Sequence, residues 1–186
     1  QFAISDEVLN SKKNGKKYKK FMKRYKDDQF LEMASVYMLE WVNGGDLLDH
    51  IRKNVSFMKE LHWKVILFQL FFTLAAIQEK YPSFRHNDLK PNNILLSVHK
   101  SNLNRHFTYM FKGVKYLVPD IGISIRICDF DFSSIRGVAE NKKVNASWTD
   151  KINVSSQPNR FYDVHYFITS LLRFIPKKAS TIPSTV

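Results

Sequence analysis

The string His86-Asn87-Asp88-Leu89-Lys90-Pro91-Asn92-Asn93 sets an acid, a cation and several amides side by side, and Asp129-Phe130-Asp131 follows downstream. Moving a phosphoryl group from a nucleotide to an alcohol needs few protein parts. A carboxylate orients the attacking hydroxyl and accepts its proton. A cation sits near the moving group, and oxygen ligands hold magnesium against the phosphates. Asp88 suits the first part, Lys90 the second, and Asn93 with Asp129 the third. Asp88 and Asn93 are five apart, so their loop must curl for both to face one cleft. The plainer alternative is that these are turn and cap residues, as most loop Asp and Asn are. Asp131 reads first as an exposed turn acid and only second as a further metal contact.

Phe84–Leu96 has polar residues packed between apolar flanks, which suits a site loop entering a strand. Ile121–Cys128 alternates as another strand should and delivers the chain to Asp129. Between them, Phe107–Lys112 and Val114–Val118 predict a hairpin turning near Lys112-Gly113. Upstream, Phe30–Trp41 predicts one bent strand or two short ones, and Asn43-Gly44-Gly45 predicts a turn. Asp46 suits a helix N-cap ahead of Leu47, Leu48 and Ile51. A long helix is expected over Lys59–Lys80, buried on nearly all sides and ending before Pro82. Ser133–Asn159 is polar and irregular and reads as one long loop. Phe161–Phe174 returns to helical spacing, and the last residues read as a frayed tail.

The composition fits one domain of 186 residues, 44% hydrophobic, with enough apolar mass for a core. One cysteine, Cys128, excludes an intrachain disulfide framework or a multi-cysteine zinc site. Cys128 reads as a small buried hydrophobe, and Trp41, Trp63 and Trp148 read as packing residues. The formal charge of +12 is concentrated in residues 12–26, and without their nine Lys/Arg the balance falls from +12 to +3. That segment suits a solvated loop or helix face, with an acidic or phosphate-bearing partner as the second reading. The most apolar run, Val65–Ile77, is thirteen residues long, against about 20 for a bilayer span. No signal peptide is expected, and a reducing, intracellular and cytoplasmic setting is.

The strings HNDLKPNN and DFD resemble the catalytic loop and magnesium motif of the protein-kinase superfamily, whose pattern is H-R-D-L-x-x-x-N followed by D-F-G. Lysine two residues after the aspartate is similar to the serine/threonine kinases. Met38–Leu47 resembles the kinase hinge string. That resemblance implies Leu39 as gatekeeper, adenine contacts from the backbone of Glu40 and Val42, and ribose contact from Asp46. Tyr162-Asp163-Val164-His165 resembles the start of the central helix of the C-lobe. It implies that Asp163 holds the backbone of the catalytic loop and that His86 packs and orients it. The implied fold is α+β, a mainly helical C-lobe with a β-hairpin insert and a remnant of an N-lobe sheet. The implied organisation is a basic segment and N-lobe remnant over 1–35, hinge and C-lobe over 36–175, and a tail over 176–186.

The resemblance implies ATP and Mg2+ as cofactors and a protein as substrate, phosphorylated on serine or threonine. The departures from the pattern are specific. No Gly-rich loop or V-A-I-K lysine stands in the sequence. Asn87 replaces the usual arginine beside the catalytic aspartate, Asp131 replaces the glycine of D-F-G, and no A-P-E string follows. The missing Gly-rich loop and lysine support the alternative of a catalytically inactive pseudokinase that binds proteins, while the intact Asp88, Lys90, Asn93 and Asp129 oppose it. A small-molecule kinase and a nucleic-acid-binding protein on a kinase fold are weaker alternatives. The insert between Leu96 and Asp129, with its VPDIG string, is similar to divergent kinases of large DNA viruses, for which a virion location is the further expectation.

Overall fold

The computed structural model describes residues 12–27, 38–152 and 154–174. Two compact units divide after Glu40. In the first, the basic segment is a helix, α1 (Lys12–Lys26), on which Phe21 and Tyr25, one turn apart, stack at 6.4 Å. Most of the strand expected over Phe30–Trp41 lies outside the described residues, as does the tail. Its described end, 38–41, is not a strand, and Met38, Leu39 and Trp41 are exposed.

The second unit is α+β. Asp46 caps α2 (Leu47–Asn54), accepting from the Asp49 N–H at 2.9 Å. After α3 (Glu60–Lys80) come strands β1 (Ile94–Val98), β2 (Asn102–Phe111), β3 (Val114–Asp120) and β4 (Ile123–Ile127), then α4 (Tyr162–Phe174). β1 pairs antiparallel with β4, from Ile94 opposite Ile127 to Val98 opposite Ile123. The other edge of β1 is covered by the Asn43–Gly45 turn. Gly44 N–H donates to Leu96 O at 2.8 Å, and Asn43 takes both polar groups of Val98 at 2.8 Å. Glycine is required there, because a Cβ on Gly44 would run into Leu96 O and Val98 Cγ2.

α3 is long and apolar enough to cross a bilayer by length and composition, but here it is the central core helix. Trp63, Ile66, Leu70 and Leu74 are buried in one cluster with Ile94 and Leu96 of β1 and Phe167 and Leu171 of α4. Gln69 interrupts the apolar run for a structural reason. Its Nε2 donates to Ile123 O and its Oε1 accepts from the Ile125 N–H, both at 3.0 Å, so one buried amide sews β4 to α3.

β2 and β3 form the expected hairpin, longer than its sequence signal. Lys112 and Gly113 both have positive φ (48° and 77°), the mirror-image turn that suits strand twist. Tyr109, Phe111 and Tyr116 lay an aromatic face on Phe68 and Phe72 of α3, with ring centroids 5.0–6.2 Å apart. The base of the hairpin is fixed by Asp120. This fully buried carboxylate accepts from His99 Nε2 at 2.7 Å, Arg105 Nε at 2.9 Å and the Gly122 N–H at 2.9 Å. Burial opposes its ionisation, but these donors outweigh burial and hold its pKa below the ordinary carboxylate value.

Three expectations need correction. The 133–159 segment is not one irregular loop. It holds short 3-10 turns at Lys142–Asn145 and Thr149–Ile152, pinned by buried Val144, Thr149 and Val154. Only Trp63 packs fully. Trp41 is exposed, and Trp148 is half-exposed with its edge on Phe132. Cys128 is half-buried, with its thiol pKa raised first by burial and then by the charges of Asp129 and Asp46.

The Gln69 clamp is testable. Gln69→Leu keeps the volume but strands a buried N–H and a buried C=O, at about 1–3 kcal/mol each. The expected loss is about 2–4 kcal/mol of unfolding free energy, read as a lower urea midpoint with little change in m-value.

Candidate active site

The 84–93 loop is held from three directions. Arg85 exchanges two backbone hydrogen bonds with Ser134, at 3.0 and 2.9 Å. From α4, the fully buried Asp163 carboxylate accepts from the next two amides, His86 N–H to Oδ2 at 2.8 Å and Asn87 N–H to Oδ1 at 2.9 Å. From the end of β4, Cys128 O accepts from His86 Nε2 at 3.0 Å. Asn87 sits in the left-handed region (φ 67°), where asparagine is tolerated better than most residues. Its side chain donates to Phe132 O at 2.9 Å and accepts from the Ser155 N–H at 3.5 Å. A neutral amide thus ties the loop to the segment on both sides of the 3-10 turns.

His86 is buried, and its surroundings favour the neutral imidazole. Burial is the main cause lowering its pKa, against the raising effects of the Cys128 carbonyl, Asp163, Asp88 and Asp129. Its hydrogen bonds explain the neutrality. Nε2–H is spent on Cys128 O, and Nδ1 accepts a long 3.4 Å bond from the Asp88 N–H, so a proton on Nδ1 would face another donor.

Three predicted residues meet in this loop. A 3-10 turn over Pro91–Asn93 folds Asn93 back, and its Nδ2 donates to Asp88 O at 2.8 Å and Asp88 Oδ2 at 3.1 Å. Lys90 Nζ lies 2.6 Å from the same Oδ2. The other carboxylate oxygen, Oδ1, has only a long 3.3 Å bond from Tyr166 Oη. With its nitrogen committed to Asp88, Asn93 is left with Oδ1 to offer a ligand.

Asp129 follows β4 in the left-handed region (φ 63°), and its carboxylate has no hydrogen-bond partner among the described residues. An amide oxygen and a free carboxylate are hard donors of the kind magnesium takes, with phosphate and water oxygens completing its shell. The described residues contain no cluster of three His, Cys, Asp or Glu around a common point. Asp131 is exposed and paired with Lys143 Nζ. The expected nucleotide residues are less gathered. Leu39 and Glu40 are exposed and belong to the first unit, while Val42 and Asp46 belong to the second. Asp46 bridges to Leu95 of β1.

Tyr166 was not among the predicted residues, although a signal existed. It lies three residues after Asp163 on one helix, so both share the face that meets the loop. Proximity to Asp88 and burial raise its phenol pKa, burial being the larger cause.

The chain matches the poxvirus serine/threonine protein kinase family over residues 8–182. It is 52% identical over 168 residues to a protein of Acanthamoeba polyphaga mimivirus that carries a provisional serine/threonine-protein kinase name, covering 86% of this chain and 35% of that relative. A second mimivirus protein with the same kind of name is 36% identical over 108 residues, covering 57% of this chain and 27% of the relative. Serine/threonine-protein kinase 2 of Variola virus is 33% identical over 116 residues, covering 61% of this chain and 24% of the relative. The chain therefore spans only a minor part of the length of each of these relatives.

The Asp163 clamp predicts a local loss of order. In Asp163→Asn one acceptor oxygen becomes a donor facing a backbone N–H, and the negative charge that strengthens both bonds is lost. A destabilisation of about 1.5–3 kcal/mol is expected. Hydrogen exchange should accelerate at the His86 and Asn87 amides before it does in α3.

Proposed function

This chain belongs to the poxvirus serine/threonine protein kinase family, and from that premise we propose that it carries the hinge and helical lobe of a phosphotransferase. The reaction is transfer of the γ-phosphoryl group of ATP, with magnesium, to serine or threonine hydroxyls of proteins in an infected cell. The convergence of Lys90 and Asn93 on one oxygen of Asp88 is the observation that carries this reading.

Asp88 is the proposed base. Its Oδ2 is held by two short donors, while Oδ1, with one long bond to Tyr166, is the oxygen presented to a hydroxyl. That oxygen orients the hydroxyl and takes its proton as the bond to phosphorus forms. Phosphoryl transfer asks mainly for positioning and charge stabilisation, so orientation is the larger part of the task. Lys90 is the cation for the transferring group, and its ion pair also holds the Asp88 carboxylate in place. Magnesium, held through Asn93 and Asp129, neutralises phosphate charge when bound. His86 and Asp163 are positioning residues. The proposed nucleotide contacts are Leu39, Glu40, Val42 and Asp46. The proposed organisation keeps 1–35 as basic segment and N-lobe remnant, 36–175 as hinge and C-lobe, and 176–186 as tail. The basic helix suits an acidic or phosphate-bearing partner.

Asp88→Asn keeps the shape but cannot accept a proton. The expected result is a 10²–10⁴-fold fall in ATP-dependent phosphorylation of a basic test protein, roughly the contribution of a general base, with the thermal midpoint nearly unchanged. Equal rates would remove Asp88 from the chemistry. No activity in the unmutated protein, with nucleotide still bound, would favour the pseudokinase alternative.

The metal assignment is tested separately. Asp129→Ala should weaken the magnesium dependence of nucleotide binding at least tenfold, and Asp131→Gly should leave it nearly intact because Asp131 is spent on Lys143. A magnesium titration monitored by a fluorescent nucleotide reads both. A larger loss in Asp131→Gly would reverse the assignment.

A further inference from the structure

Beside the Asp88 loop, α4 with Ile152, Val154 and Ser155 borders an open cavity of about 670 Å³. Arg85, Arg173 and His165 line it together with Tyr162, Tyr166 and Ser155, and no Asp or Glu is among its described lining residues. Arg85 is 4% exposed, yet it is not fully used. Its Nη1 donates to Gln157 O at 3.0 Å, while its Nε has no hydrogen-bond partner among the described residues. Tyr162 Oη is likewise buried without a partner. The guanidinium lies over the Tyr162 ring, 3.8 Å from its centroid, which fixes its plane without neutralising it. The neighbouring Asp163 carboxylate has both oxygens committed to backbone amides. Buried donors without partners are rare, and these two lie against each other behind the cavity wall, with the Asp163 charge close enough to favour the guanidinium. That cavity adjoins the reaction centre, because Tyr166 lines it and also donates to Asp88.

We propose that this cavity is the specificity pocket for the substrate polypeptide, taking an acidic side chain, carboxylate or phosphate, that lies near the accepting hydroxyl. The proposal rests on the phosphoryl-transfer reading and names its substrate class. Arg85 is the fixed cation at the wall, held there by Gln157 O and the Tyr162 ring, and its charge attracts either anion. Arg173, at the exposed end of α4, supplies the second charge. A neutral side chain gains nothing from the Arg85 and Arg173 charges, and a basic one meets two like charges, so discrimination works by rejection as well as attraction.

The test uses the full chain and four peptides that share one serine and differ at the flanking positions, carrying Glu, phosphoserine, Ala or Lys. kcat/KM is expected to be at least tenfold higher for the Glu or phosphoserine peptide than for the Ala peptide, and lowest for the Lys peptide. Arg173→Glu should collapse or invert the Glu-to-Ala ratio. Comparing the Glu and phosphoserine arms shows which anion is preferred. In parallel, fluorescence anisotropy measures binding of the same peptides with the serine replaced by alanine. Equal binding of the acidic and neutral peptides, or a preference that survives Arg173→Glu, overturns the pocket whatever the activity. If acidic peptides bind selectively but no serine peptide is phosphorylated, the pocket stands and the phosphotransferase reading fails. If serine peptides are phosphorylated without acidic preference in either assay, the reverse holds.

Discussion

Two hydrogen bonds from consecutive amides to one buried carboxylate hold the candidate site together. Asp163 can accept from both His86 and Asn87 only if the chain between them turns so that both N–H groups face α4. That turn places Asn87 at positive φ, a backbone cost of about 1–3 kcal/mol. Hydrogen bonds to a charged acceptor contribute about 1.5–3 kcal/mol each, enough to offset the strain. Once the turn is set, Asp88 projects away from the core toward Lys90 and Asn93, while His86 points inward to the end of β4. The start of α4, the loop and the strand leading to Asp129 therefore form one connected unit.

Side-chain amides perform a second task throughout the unit. Each sheet has two strands, so strand edges are left with unpaired polar groups. Asn43 satisfies the edge of β1 at Val98, and Gln69 satisfies β4 at Ile123 and Ile125. Asn87 joins Phe132 to Ser155, and Asn141 donates to Asp131 O and Ser133 O. An amide offers a donor and an acceptor on one planar group, which matches the alternation of C=O and N–H along a strand. Neutral stitches of this kind also avoid the desolvation that burying ions would incur.

Local patterns in the sequence led to the α3 and α4 helices, the Lys112-Gly113 hairpin and the Asp46 cap, because each is decided by neighbours in the chain, whereas the α+β class followed from the kinase resemblance. The residues that meet around Asp88 were legible through a dense string of polar groups, Asp88 to Asn93, six residues long. What stayed hidden depends on partners fixed by topology. Gln69 read as a flaw in an apolar run, because its partners lie 54 and 56 residues away on β4. Asp120 gave no hint of a buried charge, since its cations reach it only once the hairpin closes. The 133–159 segment looked irregular because its order comes from three separate buried anchors, Val144, Thr149 and Val154, rather than from a repeat.

The replacement of the usual arginine by Asn87 has a wider electrostatic consequence. An arginine at that position would leave the order of the 133–159 segment dependent on an anion, and so on phosphate and on salt. Asn87 makes the same connection with neutral hydrogen bonds, and Thr149 is fully buried with its hydroxyl donated to Val144 O and Ala146 O. Neutral bonds inside a protein are little affected by ionic screening, whereas exposed charges lose most of their interaction beyond about 8 Å at physiological salt. Assembly of the site and recognition by charge are therefore physically separable in this chain. The first rests on amides and one buried carboxylate, which respond to neither salt nor phosphate. The second is proposed for Arg85 and Arg173, and attraction of anions to such charges rises as salt is lowered. A phosphate added to Ser155 would enter the same cavity as those two arginines. It would compete for their charge rather than create the order that Asn87 and Asp163 already supply.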